Sequence, residues 1–240
     1  MTLRANGGTG ASSDFYSNTN GNLTTGFGGT GTTLSSWLTT QGGQTTYAFV
    51  SKWYDQSVTH TNHGTQTTTS SQPIYDVANK LINFGYTGSP NTNCSFILPD
   101  GTIPYGNSSY TVTIKHKNIS VGGWIGSGTN TASSLGNNFR INGSQYLNYW
   151  TGNDFGAGTY AVGNVVTFKY DNVSTSTILY LNSTSVGSMN RTARASTTAN
   201  NTIGTTVYNE YLNGLLYYVY SFNSALSDAD RIIIEATTYT

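Results

Sequence analysis

The carboxylates of this chain are few and far apart. Glu210 and Glu235 are the only glutamates, and the eight aspartates stand at 14, 55, 76, 100, 154, 171, 228 and 230. Cleavage of a glycosidic bond needs two carboxyl groups facing each other, one to attack or to activate water and one kept protonated to release the leaving oxygen. The spacing puts no such pair on one strand face. Glu210 lies in the polar turn Val207-Tyr-Asn-Glu-Tyr211, and Glu235 in a predicted C-terminal helix. His60 and His63 fall in a loop with no third ligand beside them, which reads as two solvated histidines and not as a zinc site. Cys94, the single cysteine, sits in the apolar run Cys94-Ser-Phe-Ile-Leu98 and is expected to be a buried thiol. The Gly-Gly-Thr-Gly runs at 7–10 and 28–31 lack the Lys-Ser/Thr that a phosphate-cradling loop requires.

Two segments hold more promise. In Gln145-Tyr-Leu-Asn-Tyr-Trp150-Thr-Gly-Asn-Asp154, strand alternation puts Tyr146, Asn148 and Trp150 on one face, with Asp154 just beyond. Aromatic rings beside an amide and a carboxylate can hold a sugar: the rings stack on its C–H faces and the planar groups take its hydroxyls. The competing reading is that the whole strand is core. In Tyr47-Ala-Phe-Val-Ser-Lys-Trp-Tyr54 both faces are mostly apolar, so the strand is expected to be buried on both sides. Asp55 follows it directly, and as a residue type it fits a catalytic carboxylate, a metal ligand or a structural clamp.

Around these segments the chain reads as many short strands. Clear cases are Tyr110–His116, Val121–Gly126, Phe139–Asn142, Gln145–Trp150, Val165–Tyr170, Thr177–Leu181 and Leu215–Phe222, parted by Gly, Asn and Ser turns. Tyr110, Val112, Ile114 and His116 share one face and Thr111, Thr113 and Lys115 the other, the pattern of a half-buried antiparallel strand. Leu215–Phe222 is apolar on both sides and is expected in mid-sheet. Helix is confined to one or two turns at Leu34–Leu38 and a short segment after Ser227, whose first turn is acidic. The fold class is therefore all-β: a two-sheet antiparallel jelly-roll sandwich with a short C-terminal helix. No compositional break or long linker divides residues 1–240, so a single domain is expected.

Only 8% of the residues are charged, and ten Lys plus Arg balance ten Asp plus Glu. A nucleic-acid binder needs a basic stripe and a membrane-surface protein a polybasic patch, and neither exists here. No apolar run reaches the length of a membrane span, and the start lacks the apolar core of a signal peptide. The hydroxyl- and amide-rich surface suits a partner recognised by hydrogen bonds and stacking. N-x-Ser/Thr sequons at Asn22, 93, 107, 118, 142, 172, 182, 190 and 200 permit glycosylation.

Three stretches together carry a resemblance: residues 3–25 leading to Leu34-Ser-Ser-Trp-Leu38, residues 50–76, and residues 212–235. They resemble the concanavalin A-like, laminin-G-like sandwich domains. The variant most similar is the catalytic-domain fold of fungal α-L-arabinofuranosidase B, also seen in bacterial and giant-virus proteins carrying a YDQS motif. Here Trp53, Tyr54, Asp55, Gln56 and Ser57 carry that motif, and His63 and Gln66 fall in its later slots, while Val58-Thr-His-Thr61 replaces the glycine-containing turn. The resemblance implies that Asp55 is a clamp whose carboxylate fixes the following loop. It also implies a nucleophilic Glu on a mid-chain strand in the enzymes; the matching segment here, Asn138–Asn142, has Arg140 instead. The expectation is a non-catalytic carbohydrate-binding or adhesion module on a virion or cell surface, recognising a glycan or surface polysaccharide. The alternatives are an assembly protein such as a fibre head or minor capsid component, self-associating or bound to other virion proteins, and, third, a glycoside hydrolase. No cofactor is expected, although laminin-G-like domains often hold calcium at the rim, where Asp154 and Asp171-Asn172 are candidate ligands. Family members usually have a strand upstream of the Leu3-Arg4 equivalent, so the chain is expected to be cut from a longer one or to borrow that strand from a neighbour.

Overall fold

The period-two segments close into antiparallel pairs, and one strand stitches the two sheets together. The computed structural model describes residues 1–5, 10–17, 22–41, 45–85, 89–119, 122–129, 135–150, 152–191 and 195–236. At the centre of the larger sheet, Tyr110–Ile119 lies between Val165–Asp171 and Gly214–Phe222. Ser176–Leu181 and Thr184–Asn190 extend it on the first side. On the second side follow Leu81–Asn83, Ile74–Asp76, Tyr47–Trp53, Thr2–Arg4 and Ser12–Asp14. Tyr47–Trp53 is the seam, because its end turns to the second sheet: Lys52 pairs with Thr65 and Trp53 with Gly64. From there Phe96–Ile97, Thr202–Ile203, Gly122–Gly126, Asn138–Asn142, Gln145–Tyr149 and Phe155–Ala157 follow in order. This is the expected all-β, two-sheet jelly-roll sandwich with its short C-terminal helix, Asp228–Ala236.

The core lies between the sheets. Tyr110, Val112, Ile114 and His116 project from one and Phe139, Ile141, Tyr146 and Asn148 from the other, all essentially without solvent contact. Phe139 meets Tyr110 and Phe168 edge-on at 5.7 and 5.2 Å, the arrangement aromatic quadrupoles favour. His116 lies stacked between Trp124 and Tyr160, at 5.8 and 5.6 Å.

Three expectations about burial need correction. The Tyr110–Ile119 strand is not half-buried: Thr111 and Thr113 are buried as well, because the C-terminal segment covers the outer face. Thr111 Oγ1 donates to Ser224 O and accepts from Leu226 N, and Thr113 bonds Thr167 across the strands. Gly214–Phe222 has neighbours on both edges only near Leu215 and Leu216, where Leu81–Asn83 ends, and Tyr220 and Phe222 are partly exposed beyond it. Tyr47–Trp53 is fully buried only over Ala48–Val50. The C-terminal helix begins as its sequence suggests, and the first helix is capped by Thr33, which the sequence reading did not single out. Thr33 Oγ1 accepts from Ser36 N at the head of Leu34–Thr40, and Ser227 Oγ accepts from Asp230 N at the head of Asp228–Ala236. No helix among the described residues is long and apolar enough to cross a membrane.

Candidate ligand-binding face

Tyr146, Asn148 and Trp150 do share one face, as alternation demands, but that face is the interior. All three are buried at 0% exposure, so they form no platform open to a ligand. The amide of Asn148 is fully occupied: its Oδ1 accepts from Tyr110 OH and Arg191 Nη1, both at 2.6 Å, and its Nδ2 donates to Asn137 Oδ1 and Asn138 O. Trp150 Nε1 donates to Asn137 Oδ1 at 3.2 Å, and the buried Arg191 guanidinium lies 3.5 Å above the indole. Tyr146 OH accepts from Asn164 Nδ2 and lies 3.1 Å from His116 Nε2. Asp154 sits at the end of this hairpin and accepts from Trp150 N at 2.9 Å. Its partial burial raises its pKa against the opposing pull of that bond and of Arg191 and Arg140.

The outward face of the same strand carries Leu147 and Tyr149, and here the second sheet meets a loop. In register, Leu147 lies opposite Arg140 and Tyr149 opposite Asn138. Residues 205–211 cross this face and bring Tyr208 and Glu210 onto it. The rings of Tyr149 and Tyr208 stand 5.2 Å apart at 86°. Arg140 Nη1 bonds Glu210 Oε1, and Thr206 Oγ1 donates to Glu210 Oε2 at 3.0 Å. Val207 N donates to Asn138 Oδ1 at 2.9 Å, and Gly123 N to Glu210 O at 3.0 Å. The glycines beneath make the crossing possible. A Cβ on Gly123 would lie 2.2 Å from Thr206 Cγ2, and one on Gly126 2.8 Å from Val207 N. Burial, with Asp154 and Tyr208 next in weight, raises the pKa of Tyr149, so the ring keeps its hydroxyl proton. The 205–211 loop also borders a cleft of about 410 Å³ whose lining includes Thr129, Asn200, Thr202, Thr205, Thr206 and Asn209.

The motif after the seam strand forms a separate unit. Asp55 Oδ1 accepts from Ser57 N at 2.8 Å, while Oδ2 accepts from Ser57 Oγ at 2.8 Å and Asn62 N at 3.0 Å. Partial burial opposes ionisation of Asp55, but these bonds prevail and hold its pKa below the usual range. His63 is not simply solvated: its Nδ1 accepts from Asp55 N at 3.1 Å and its ring meets Tyr54 edge-on at 5.1 Å. His60 Nδ1 lies 3.0 Å from Asp55 O. Gln56 Nε2 donates to Tyr54 O, and Trp53 packs on Phe96. Gln66, buried, ties the loop to the second sheet through Ser95 O and accepts from Thr68 N. Asp55 thus closes a ring of local bonds, the geometry of a clamp. Among the described residues no three or more of His, Cys, Asp and Glu converge as a metal site would require. The carboxylate of Asp171 is engaged in its own turn, by Val173 N and Ser174. Cys94 is buried as expected, and burial pushes its thiol up to about 12.

Leu147, Tyr149 and Tyr208 escaped the sequence reading because period-two alternation names the two faces without saying which is wet. No family model matches the chain, and no curated protein matches it. Solved structures do resemble it. The native heptameric SAP-like pentraxin of Limulus polyphemus aligns at 14% identity over 65% of this chain and 81% of its own, with a TM-score of 0.50. The CBM40 of the Ruminococcus gnavus IT-sialidase aligns at 16% identity over 55% of this chain and 85% of its own, with a TM-score of 0.44. At these identities the pentraxin likeness concerns the fold alone, and that fold is the jelly-roll sandwich described above.

Proposed function

We propose that this chain is a non-catalytic carbohydrate-binding or adhesion module, acting at a cell or virion surface, and that its ligand lies across Tyr149 and Tyr208. The observation that carries the reading is the pair of partly exposed rings at 86°, where the 205–211 loop also brings Glu210 to Arg140 and borders a cleft lined by hydroxyls and amides. One ring can stack on a sugar's C–H face while the other closes its edge. Hydroxyls of a neighbouring residue then find donors and acceptors along Thr129, Thr202, Thr205 and Asn209. Catalysis fits poorly. Both oxygens of Glu210 are already bonded, to Arg140 and Thr206, and Asp154 holds Trp150 N. A glycan array with the full chain tests the reading: an enriched glycan is expected, with its signal abolished in Tyr208→Ala. No enriched glycan, or binding that Tyr149→Ala and Tyr208→Ala both leave intact, would count against it and in favour of a purely structural protein.

A further inference from the structure

The outward face of the second sheet is poor in positive charge. Beyond the seam strand, the strands of that sheet carry one cation, Arg140. Arg140 lies outward with Leu147, its partner in register, and its Nη1 is bonded to Glu210 Oε1. Glu210 is itself held, since Thr206 Oγ1 donates to its Oε2 at 3.0 Å. Asp154 is the second carboxylate on this side. Of the four residues that the sequence singles out on its hairpin, Asp154 alone stands outside the core. Its Oδ1 accepts from the backbone N of Trp150, the residue after Tyr149, and its Oδ2 has no hydrogen-bond partner among the described residues. The charges of Asp154 and Glu210 both reach the Tyr149 hydroxyl. Arg191, whose charge also reaches Asp154, is buried behind Trp150 and bonds Asn148. The partly exposed charges near the ring pair are therefore one guanidinium, already paired, and two carboxylates. The cleft that the 205–211 loop borders has no charged residue in its lining.

We propose that the Tyr149/Tyr208 face takes uncharged glycans and excludes acidic ones, with Asp154 accepting a hydroxyl of the bound sugar and Glu210 keeping Arg140 from acidic ligands. The inference rests on the ligand reading of that face. A sialylated, uronic or sulfated glycan needs a cation, and arginine suits it best because its planar fork pairs two oxygens at once. Here the acidic group would have to take Arg140 from Glu210, which leaves the Glu210 carboxylate unpaired beside the incoming charge. Asp154 adds a second negative charge to the approach, and like charges set together across an interface disfavour the partner that brings them. An uncharged sugar meets neither obstacle. Its hydroxyl donates to the open oxygen of Asp154, and a bond to an ionised acceptor is stronger than one to a neutral acceptor. Its remaining hydroxyls match the uncharged hydroxyls and amides of the cleft. Selectivity then comes from an obstacle to the wrong ligand as well as from contacts to the right one.

The full chain on a glycan array that presents uncharged, sialylated, uronic and sulfated glycans at equal density tests this. Every enriched glycan is expected to be uncharged. Titration calorimetry with the strongest of them should show affinity at least about tenfold weaker in Asp154→Asn, which keeps an acceptor for Trp150 N, at an unchanged melting temperature. Glu210→Gln leaves the charge of Arg140 unneutralised. Sialylated or sulfated glycans should then bind in about 50 mM NaCl and be released in about 1 M, where screening is short-ranged. An acidic glycan enriched by the wild-type chain and lost in Tyr208→Ala would overturn this proposal and leave the ligand face standing. Wild-type affinity in Asp154→Asn, or a Glu210→Gln protein that still ignores acidic glycans, would overturn it as well. No enriched glycan of any kind would overturn it together with the ligand reading.

Discussion

Tyr149 meets Tyr208 at 5.2 Å on the outside of the second sheet, while its chain neighbour Trp150 is buried under Arg191 on the inside. One step along a strand separates a partly exposed ring from a ring that holds the sandwich together. Substitutions at the two positions should therefore fail in different ways. Tyr208→Ala is expected to weaken glycan binding at least about tenfold with little change in melting temperature. Trp150→Ala is expected to cost about 3–5 kcal/mol of stability. Chemical denaturation and titration calorimetry on both proteins check the pair; equal stability loss at the two sites would mean the rings of Tyr149 and Tyr208 are packing residues only.

Asp55 gives a second separation, between clamp and metal ligand. Its carboxylate accepts three bonds from Ser57 and Asn62, and Asp55→Asn keeps the shape but turns one acceptor atom into a donor. The expected loss is about 1–3 kcal/mol, the range for spoiling a hydrogen-bonded charged acceptor. Because the folded pKa lies below the ordinary one, this stabilisation is present above the unfolded pKa and fades as pH falls through the folded value. Urea melts of the two proteins should therefore differ at pH 7 and converge in strong acid. An unchanged melt, with calcium binding lost instead, would refute the clamp.

Strand positions were legible because most strands here carry both alternation and flanking turn residues. Val165–Asp171 and Ser176–Leu181 were found within a residue of their ends for that reason. Thr184–Asn190 was missed: a strand with neither face buried has no apolar period to read. The buried set Tyr146, Asn148 and Trp150 was correctly grouped and wrongly assigned to solvent. Asn148 looked like a surface amide, yet two of its partners, Tyr110 and Arg191, lie far away in sequence. The proposed ligand face was illegible for the same reason, since Arg140 and Glu210 meet across 70 residues. The clamp reading of Asp55 came from the motif's resemblance, and the bonds that agree with it, to Ser57 and Asn62, are local.

Aryl arabinofuranosides, xylosides and glucosides should release no product above buffer. Loss of either catalytic carboxyl costs orders of magnitude in rate, and Glu210 and Asp154, the carboxyls near the ring pair among the described residues, are engaged with Arg140, Thr206 and Trp150 N. A measurable turnover that vanishes in Glu210→Gln or Asp154→Asn would show this reasoning to be wrong.

His116 is expected to weaken the fold in acid. It has no exposed surface, is stacked between Trp124 and Tyr160, and reaches Tyr146 OH through Nε2. Its Nδ1 has no partner among the described residues. Burial pushes its pKa down from 6.5 to about 4, since the imidazolium would lose its hydration without gaining a carboxylate. The unfolded chain takes up a proton at this residue near pH 6.5, and the folded chain does so only near pH 4. Between those values the unfolded state binds more protons, so stability falls as pH falls and is level above the window. The full span corresponds to about 3 kcal/mol. His116→Phe retains a ring between Trp124 and Tyr160 and removes the titration. Unfolding free energies of both proteins, measured at half-unit steps from pH 7.5 to 4, should give a wild-type curve that drops about 3 kcal/mol further than the variant's. Parallel curves would mean that His116 is protonated in the folded protein at its ordinary pKa and that the stacked rings shelter a cation.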